Sequence, residues 1–402
     1  MRVAYYSPMP PERSGIADYS ALLLPALREL VDVEVARKGR PPRADVGLYH
    51  VGNNPESHAW IVEQLRREPG VVVLHDFVLH HLVAGMTLGR KDGPGYLAAM
   101  ERDSGVAGRL LGLGVIDGCI PPLWEVRPED FPLCGEVLDL ATGLIVHSRF
   151  VAERVRERGY GGSVWHVPHP AWPAPDIAAE RLDGGPVIGA FGNLNPSKRV
   201  PQLLDAFERF HDSHPDARLL LVGAAAPGFD LAWRIGHEGL QEAVVQVDYV
   251  DEERLWALMA GVDVVASLRA PTMGETSGTA IRALTLGKPL VVSDVGWFSE
   301  LPDDVARKVK PDEREVDALV DALEASTAAA AEMGAAGRAL AERHDLRRVA
   351  DLYVAALEET VGGEAVRDEV LREVSEAAAE VGIAPASAEA AALGRAMDEI
   401  EL

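Results

Sequence analysis

Short runs of aliphatic and β-branched residues alternate along the chain with longer segments whose apolar positions recur every three or four residues. The short runs have the length of strands buried on both faces, and the longer segments have the period of amphipathic helices. The first half of the chain predicts strands at 2–7, 31–36, 45–51, 70–76 and 143–148. It predicts helices at 17–29, 57–68, 77–86 and 149–158, with less regular helices and loops over 87–141.

A second series of the same kind follows a break in the pattern. The break is the stretch HVPHPAWPAPDIAAERLDGG, which holds four prolines, lacks a strand or helix period and ends on two glycines. We interpret residues 169–185 as a linker between domains. The second series predicts strands at 186–192, 217–223, 243–250, 262–268 and 288–294. It predicts helices near 200–213, 229–238, 251–260, 278–286, 314–344 and 346–360.

Strand alternating with helix is the pattern of a parallel α/β sheet. The fold class predicted from the two series is therefore α/β, with two Rossmann-like, doubly wound domains over 1–168 and 186–344 facing each other across a crevice. In such sheets, ligands bind outside the carboxyl ends of the strands. We therefore expect binding and catalytic residues at the carboxyl ends of the strands.

Composition narrows the class of protein. The chain has 402 residues, 48% of them hydrophobic and 25% charged, which is typical of a soluble globular protein. It holds no apolar run of 18 residues, and its start, MRVAYYSPMP, lacks the pattern of a signal peptide. The two cysteines, Cys119 and Cys134, fit neither a disulfide framework nor a zinc site. We expect a cytoplasmic protein.

The net charge of −24 argues against a nucleic-acid-binding protein, since binding to phosphate backbones needs clustered Lys and Arg. An anionic ligand would have to be held by a few local cations and backbone N–H groups. Part of the acidity lies in the segment 364–402, which has ten acidic and three basic side chains. We predict that residues 363–402 form an acidic tail, helical or disordered.

The first candidate site follows the first strand of the second domain, in the stretch GAFGNLNPSKR. Gly189 and Gly192 bracket the strand end, and Lys198 and Arg199 stand beside the start of the next helix. Two cations at a helix N-terminus are suited to a phosphate or a diphosphate. The alternative is a basic pair on a solvated face. The stretch is not G-x-G-x-x-G, which disfavours a nicotinamide cofactor.

The second candidate site is RAPTMGETSGTAIRALTLGKPLVVSDVGW, from Arg269 to Trp297. Glu275 lies in the loop, where its carboxylate can accept hydrogen bonds from sugar hydroxyls. The stretch TSGT, residues 276–279, begins the next helix and offers hydroxyls and N–H groups to phosphate oxygens. Capping of the helix by Thr276 or Ser277 would explain one of these residues but not all of them.

These motifs resemble those of the GT-B-fold glycosyltransferases of family 4, which use nucleotide sugars and retain anomeric configuration. The stretches GNLNPSKR, GETSGTAIRALTLGKPLVVSDVGW and FSELPD match the pattern of that family's second domain. The resemblance extends to about residue 360. It implies that 1–168 binds the acceptor, that 186–344 binds the donor, and that a helix at 345–362 returns to the first domain.

The resemblance also implies roles for single residues of the second domain. Lys198 matches the lysine that holds the donor diphosphate, with Arg199 as a second contact, and Glu275 matches a residue that touches the sugar. The predicted donor-binding residues are Gly15, Gly192, Asn193, Lys198, Arg199, Glu275, Thr276, Ser277, Gly278 and Thr279. Two positions depart from the family pattern. Asn193 replaces an arginine, and Arg282 or Ala283 replaces a second glutamate that binds ribose.

In the first domain, polar residues again follow the strands. Gly15 lies in the loop SPMPPERSGIADYS and resembles the glycine that lets phosphate approach the backbone. His75 resembles a histidine that contacts the donor sugar, so the predicted catalytic residues are His75, Lys198 and Glu275. Contacts to the acceptor are predicted for three residues at strand ends, namely Asn53, Asn54 and Asp76. Four further histidines near these strand ends are His50, His58, His80 and His81.

We therefore expect transfer of a sugar from a nucleotide diphosphate sugar to a hydroxyl of a glycan, a lipid-linked or a small-molecule acceptor. No metal and no cofactor are expected, because neither HExxH nor a DxD pair at a strand end occurs. A serine hydrolase is not indicated either, because the sequence has no G-x-S-x-G motif. Nothing in the sequence calls for membrane contact, and the oligomeric state stays open. A phosphorylase, an epimerase-like enzyme, or a catalytically silent nucleotide-sugar-binding or partner protein are the alternatives.

Overall fold

The computed structural model describes residues 1–385 and 387–399, with the backbone alone for 364–369, 395, 398 and 399. The chain divides into two compact units. The first consists of Met1–Val126, Phe131–Val167 and the described residues from Ala350 onward. The second consists of Arg127–Asp130 and Pro168–Val349.

The first unit contains a parallel sheet of six strands. The strands are β1 (Arg2–Tyr6), β2 (Asp32–Val35), β3 (Val46–Val51), β4 (Gly70–Leu74), β5 (Ala141–Val146) and β6 (Val164–His166). Their order across the sheet is β2-β1-β3-β4-β5-β6. From β1 the chain first adds β2 on one side, and it then returns to add β3 and the later strands on the other side. The carboxyl ends of β1 and β3 thus border the point at which the strand order reverses.

Helices accompany these strands. They are α1 (Gly15–Arg28), α2 (Pro55–Leu65), α3 (His80–Met86), α4 (Gly93–Ile116), α5 (Leu123–Val126), α6 (Gly135–Leu140) and α7 (Arg149–Glu157). The helix α4 is interrupted at Ser104 and Gly105, whose backbone angles are not helical. A short 3₁₀ turn covers Leu88–Arg90, and a second, at Pro128–Asp130, belongs to the other unit.

The second unit contains a second parallel sheet of six strands. They are β7 (Val187–Phe191), β8 (Arg218–Val222), β9 (Val244–Val247), β10 (Val264–Ser267), β11 (Leu290–Ser293) and β12 (Ala306–Val309). The order is β12-β11-β10-β7-β8-β9, which is the arrangement of a dinucleotide-binding sheet. The order reverses between β7 and β10, and a crevice for ligands is expected there.

The helices of the second unit are α8 (Val200–Ser213), α9 (Leu231–His237), α10 (Glu252–Gly261), α11 (Gly278–Thr285), α12 (Glu315–Ala328) and α13 (Ala330–Arg343). Helix α14 (Leu346–Val361) begins in this unit and passes into the first. Short 3₁₀ turns cover Pro196–Lys198 and Gly296–Glu300.

Helix α8 illustrates why the sequence folds in this way. Its apolar residues recur at helical spacing, and Val200, Leu203, Phe207 and Phe210 are all at most 2% exposed. They pack in one cluster with buried residues of the sheet, such as Leu219 on β8. The same stripe thus buries one face of the helix and covers one face of the sheet.

The predicted fold class, two doubly wound units with parallel sheets, is confirmed. Two strands were not predicted. Strand β6 has three residues, and β12 reads ARKV, with the charged pair of a sheet edge in place of an apolar run. The single helix predicted over 314–344 is two helices that meet at Ala329. The helix predicted from residue 77 begins at His80, and Phe77, Val78 and Leu79 lie buried in the preceding loop.

The tail predicted over 363–402 extends outside the described residues at 386 and 400–402. Its described part contains α15 (Glu364–Glu380) and α16 (Ala388–Glu399). Arg372 of α15 lies against Gly161 of the first unit. Within the described residues, every helix is too short or too polar to span a lipid bilayer.

Replacing Phe207 with alanine should destabilise the second unit. Phe207 is fully buried in the cluster between α8 and the sheet, so removing its ring leaves a cavity. The expected loss is about 3–5 kcal/mol of the free energy of unfolding, measured by denaturant titration. Tyr249→Ala in the same unit removes a ring that is 58% exposed and should cost less than about 1 kcal/mol. Equal losses for the two variants would contradict this packing.

Candidate functional site

Lys198 lies where strand β7 ends, at the reversal of strand order in the second unit. The chain leaves β7 at Gly192, turns through a short 3₁₀ segment capped by the Asn195 side chain, and presents Lys198 at its end. The ammonium Nζ lies 3.4 Å from the carbonyl oxygen of Phe191. The turn therefore directs the lysine back over the end of its own strand.

Gly192 makes this position of Lys198 possible. The φ angle of Gly192 is +97°, and a Cβ atom there would lie 2.5 Å from the lysine Nζ. A side chain would displace the ammonium and strain the backbone. Burial, reinforced by the charge of Arg269, lowers the pKa of Lys198 from 10.5 to about 7.

The loop after β10 places Arg269 and Glu275 next to this turn. The Arg269 backbone N–H donates to Ser293 Oγ at 2.8 Å, and the Ala270 N–H donates to the carbonyl of Ser197, also at 2.8 Å. The loop is thus joined by hydrogen bonds to the residue that precedes Lys198. Two of the predicted catalytic residues, Lys198 and Glu275, are consequently carried by neighbouring segments of one unit.

Glu275 is held by three donors of its own loop. One carboxylate oxygen pairs with the Arg269 guanidinium, and the other accepts the Met273 N–H at 2.7 Å and the Thr272 hydroxyl at 3.2 Å. The side chains of Arg269 and Glu275 are 16% and 17% exposed. The carboxylate is therefore partly accessible and fixed in direction.

Helix α11 begins directly after Glu275. Ser277 caps the helix by accepting the Ala280 N–H at 3.2 Å, which confirms the capping alternative for that residue. Gly278 and Thr279 follow in the first turn, where helix N–H groups lack acceptors within the helix. The Thr276 hydroxyl is buried and has no hydrogen-bond partner among the described residues. It is a polar group suited to a ligand oxygen.

Two predicted donor-binding residues are placed differently. Asn193 is exposed. Arg199, with a φ angle of +55°, directs its guanidinium to both carboxylate oxygens of Glu315, whose side chain is only 3% exposed. The two cations of the sequence motif therefore have different surroundings: Lys198 lies over Gly192, and Arg199 neutralises a buried carboxylate.

Arg282 and Ala283 are the two residues that the family resemblance aligns, as alternatives, with a second glutamate. The Arg282 guanidinium stacks 3.7 Å from the ring centroid of Trp172 and pairs with Glu252 at 3.2 Å. Ala283 is fully buried. Arg282 thus stabilises α11 against Trp172, and neither residue supplies a carboxylate for ribose.

In the first unit, His75 belongs to a buried cluster of imidazole and phenol rings. His50 on β3, His75 after β4 and His147 after β5 come from three adjacent strands. His50 Nδ1 lies 3.0 Å from His75 Nε2, and the His75 and His147 ring centroids are 5.0 Å apart. The hydroxyls of Tyr19 and Tyr353 are 2.7 Å apart and complete the cluster.

Burial lowers the pKa of His50 well below its ordinary value and that of His147 to about 4, so both are neutral at pH 7. Sequence reasoning missed His147, Tyr19 and Tyr353 as members of this cluster. For His147 the sequence offers one signal, its position at a strand end. For the two tyrosines it offers none, because Tyr353 is more than three hundred residues distant from Tyr19.

The predicted acceptor residues lie at the ends of the same strands. The Asn53 N–H donates to Asp76 Oδ2 at 2.7 Å, so Asn53 and Asp76 form one group. Asn54 caps α2 by accepting the Glu56 N–H, a structural role. Gly15 is exposed at the start of α1, with open space around its Cα.

The remaining histidines near these strand ends have structural contacts. His58 bonds to the carbonyl of His50 at 3.1 Å. His80 is fully buried between the Phe131 carbonyl and the Tyr96 hydroxyl, whereas His81 is exposed. No group of three or more His, Cys, Asp or Glu side chains that could hold a metal ion occurs within 1–385 and 387–399. Both cysteines are free thiols.

The second unit contains a segment that is similar to a known protein family. Residues 185–328 match the family model described as glycosyl transferases group 1. The matched segment carries Lys198, Arg269 and Glu275, and it covers well under half of the chain. It supports a glycosyltransferase. No curated protein sequence matches the chain significantly.

Solved structures resemble nearly the whole chain. Sucrose-phosphate synthase from Thermosynechococcus elongatus is similar over 90% of this chain and 100% of its own, with 19% identity and a TM-score of 0.61. HepE from Anabaena in complex with UDP and glucose is similar over 89% and 100%, with 17% identity and a TM-score of 0.55. The fold is GT-B. AviGT4, a glycosyltransferase involved in avilamycin A biosynthesis, is similar over 90% and 98%, with 19% identity and a TM-score of 0.52.

Replacing Lys198 with methionine should stabilise the protein near neutral pH. Below pH 7 the lysine is charged in both the folded and unfolded states, and the folded state bears the full cost of the buried charge. That cost falls as pH rises from about 7 to 10.5, where only the unfolded state stays protonated. The expected gain is on the order of 1–3 kcal/mol at pH 6.5, shrinking by pH 10.

The measurement is thermal or denaturant unfolding of both proteins across this pH range. Lys310→Met, at an exposed lysine of the same unit, is the control and should show no such dependence on pH. A loss of stability in Lys198→Met at pH 6.5 would contradict the buried charge.

Proposed function

We propose that the chain is a glycosyltransferase that moves a sugar from a nucleotide diphosphate sugar to an acceptor hydroxyl, with retention and without a catalytic metal. The observation that carries the proposal is the part-buried ammonium of Lys198 at the switch point of the second sheet, which has no carboxylate partner among the described residues. A diphosphate is the ligand that such a position suits, because it supplies the missing negative charge. The group 1 family match covers this site, and HepE, of similar fold, was solved with UDP and glucose.

The diphosphate is bound by three kinds of donor. Lys198 supplies a positive charge. The Thr276 hydroxyl is buried and lacks a hydrogen-bond partner among the described residues, so it can donate to a phosphate oxygen. The first turn of α11 adds its N–H groups and the helix dipole. These donors lie where negative charge grows as the leaving group departs. Stabilising that charge is the main catalytic task of the site.

Glu275 orients the sugar through its hydroxyls, because its carboxylate is fixed by the loop and partly accessible. The role of His75 as a contact to the donor sugar, which the family resemblance implies, stays a prediction. In the reaction, the bond between the anomeric carbon and the phosphate oxygen breaks and a bond to the acceptor oxygen forms on the same face. The acceptor proton passes to the leaving phosphate, so no protein base is required.

The first unit binds the acceptor. Asn53 and Asp76, held together at the ends of β3 and β4, offer an amide and a carboxylate to acceptor hydroxyls. Asn54, whose side-chain oxygen caps α2, stays a predicted acceptor contact. The acceptor classes that fit this chemistry are glycans, lipid-linked sugars and small molecules that carry hydroxyl groups.

A second candidate is a nucleotide-sugar-binding protein without activity. It is favoured by one observation: Arg282, one of the two residues that the family resemblance aligns with a ribose-binding glutamate, stacks on Trp172. A donor that binds but is never turned over with any acceptor would support this candidate.

The donor can be found by thermal-shift screening against UDP-, GDP- and ADP-sugars. A donor present at about 100 times its Kd should add about 2.7 kcal/mol to the stability of the folded protein. The shift should require the diphosphate, so the matching nucleoside and free sugar are the controls. Absence of a shift with every nucleotide sugar would count against the proposal.

With a donor and acceptor in hand, Lys198→Ala and Glu275→Ala should each lower the rate of transfer at least about 100-fold. The reason is the loss of charge stabilisation in one case and of sugar orientation in the other. Lys310→Ala and Glu324→Ala, at exposed positions of the same unit, are matched controls that should keep the wild-type rate. Near-wild-type turnover by either site variant, folded as judged by its unfolding transition, would refute the assignment.

A further inference from the structure

We propose that Arg269 is the second cation of the donor site and that it exchanges its partner Glu275 for the diphosphate when the donor binds. The inference rests on the proposed function, since it concerns how that site recognises its anion. It assigns to Arg269 a role in binding, and to the pair it forms with Glu275 a role in coupling diphosphate recognition to sugar recognition.

The diphosphate of the donor carries more negative charge than Lys198 alone can balance. The diphosphate of a nucleotide sugar carries two negative charges, and Lys198 supplies one positive charge. Asn193, at the position of the family arginine, is neutral and exposed. A site without a metal ion therefore needs another cation close to Lys198.

Arg199 is not suited to this task in spite of its place in the motif. It donates from Nε to both oxygens of Glu315 at 2.9 and 3.0 Å, and its Nη2 pairs with the same carboxylate. The Glu315 side chain is 3% exposed. Withdrawal of Arg199 would leave a buried carboxylate without its counter-ion, which is strongly unfavourable.

Arg269 is placed beside Lys198 by its backbone. The hydrogen bond from Ala270 N–H to the Ser197 carbonyl, 2.8 Å long, joins the start of its loop to the turn that presents the lysine. The two side chains thus arise from neighbouring segments on either side of the switch point. Their proximity is also felt electrostatically, because the charge of Arg269 helps to lower the pKa of Lys198. Two like charges side by side are stabilised by an anion between them.

The partner of Arg269, unlike that of Arg199, can release it. Glu275 also accepts the Met273 N–H at 2.7 Å and the Thr272 hydroxyl at 3.2 Å. These two bonds remain when the guanidinium turns away, and the Glu275 side chain retains 17% exposure to water. The cost of exchange is therefore lower at Glu275 than at Glu315.

The exchange has a consequence for recognition. While Arg269 is bound to Glu275, one carboxylate oxygen is unavailable to a sugar. Once the diphosphate attracts Arg269, that oxygen becomes an acceptor for sugar hydroxyls. The site then favours a sugar joined to a diphosphate over the free sugar.

Calorimetric titration with inorganic pyrophosphate tests the proposal without knowledge of the base, and UDP, GDP and ADP are titrated in parallel. Arg269→Gln should raise the Kd for these ligands by about tenfold or more, as expected for loss of a charge-assisted contact. Arg209→Gln is the matched control, because its side chain is 56% exposed and pairs with Asp317 on the surface. Its Kd should stay within about twofold of wild type.

A second pair of variants separates exchange from a general effect of charge. Glu275→Gln should tighten pyrophosphate binding several-fold, since it removes the competitor for Arg269. The same substitution in the Arg269→Gln background should have a much smaller effect. A comparable gain in both backgrounds would mean that Glu275 acts through its charge alone, and it would overturn the exchange.

The two proposals fail in different ways. If wild-type protein binds neither pyrophosphate nor any nucleoside diphosphate, the donor site and the inference both fall. If it binds and Arg269→Gln, with a wild-type unfolding transition, binds equally well, the inference falls and the donor site stands. Arg269→Lys, which keeps the charge, should have a Kd between those of wild type and Arg269→Gln. If Arg269→Lys binds as weakly as Arg269→Gln, the charge of Arg269 does not contribute to binding.

Discussion

A part-buried ammonium group at the end of a parallel strand is the constraint on which the proposed donor site of the second unit depends. Lys198 lies over Gly192, where a side chain would collide with it, and no carboxylate of the described residues forms an ion pair with it. Burial and a neighbouring arginine lower its pKa to about 7. Such a group costs stability in the absence of a ligand, and it is retained most readily where a ligand supplies the counter-charge.

The other cations near the switch point have carboxylate partners. Arg199 pairs with Glu315, Arg282 with Glu252, and Arg269 with Glu275. The pairs differ in what the carboxylate would lose: Glu315 is almost fully buried, whereas Glu275 keeps two other donors. In a chain of net charge −24, Lys198 is thus a cation without a carboxylate partner among the described residues, as the proposed donor site requires.

The fold and the location of the candidate donor site could be predicted from the sequence, because parallel α/β sheets place ligand-binding residues at strand ends. Lys198 and Glu275 follow β7 and β10 directly, so their neighbourhood was expected. The partners could not be predicted, since the pairing of Arg199 with Glu315 joins residues more than one hundred positions apart. Strand β12 was missed for a related reason: an edge strand needs no apolar run, so ARKV does not resemble a strand.

The histidine cluster of the first unit shows the same limit. Each of His50, His75 and His147 occupies a strand end and could be located singly. Their contact depends on the order of strands in the sheet, which puts β3, β4 and β5 side by side. The Tyr19–Tyr353 hydrogen bond depends on a helix from the far end of the chain. Neither follows from local periodicity.

The most direct measurement of the central claim is a crystal structure of the protein with its tightest-binding nucleoside diphosphate. A phosphate oxygen should lie within about 3 Å of Lys198 Nζ, with the Thr276 hydroxyl as a further donor. A nucleotide bound with its phosphates elsewhere, and with Lys198 still directed at the carbonyl of Phe191, would contradict it.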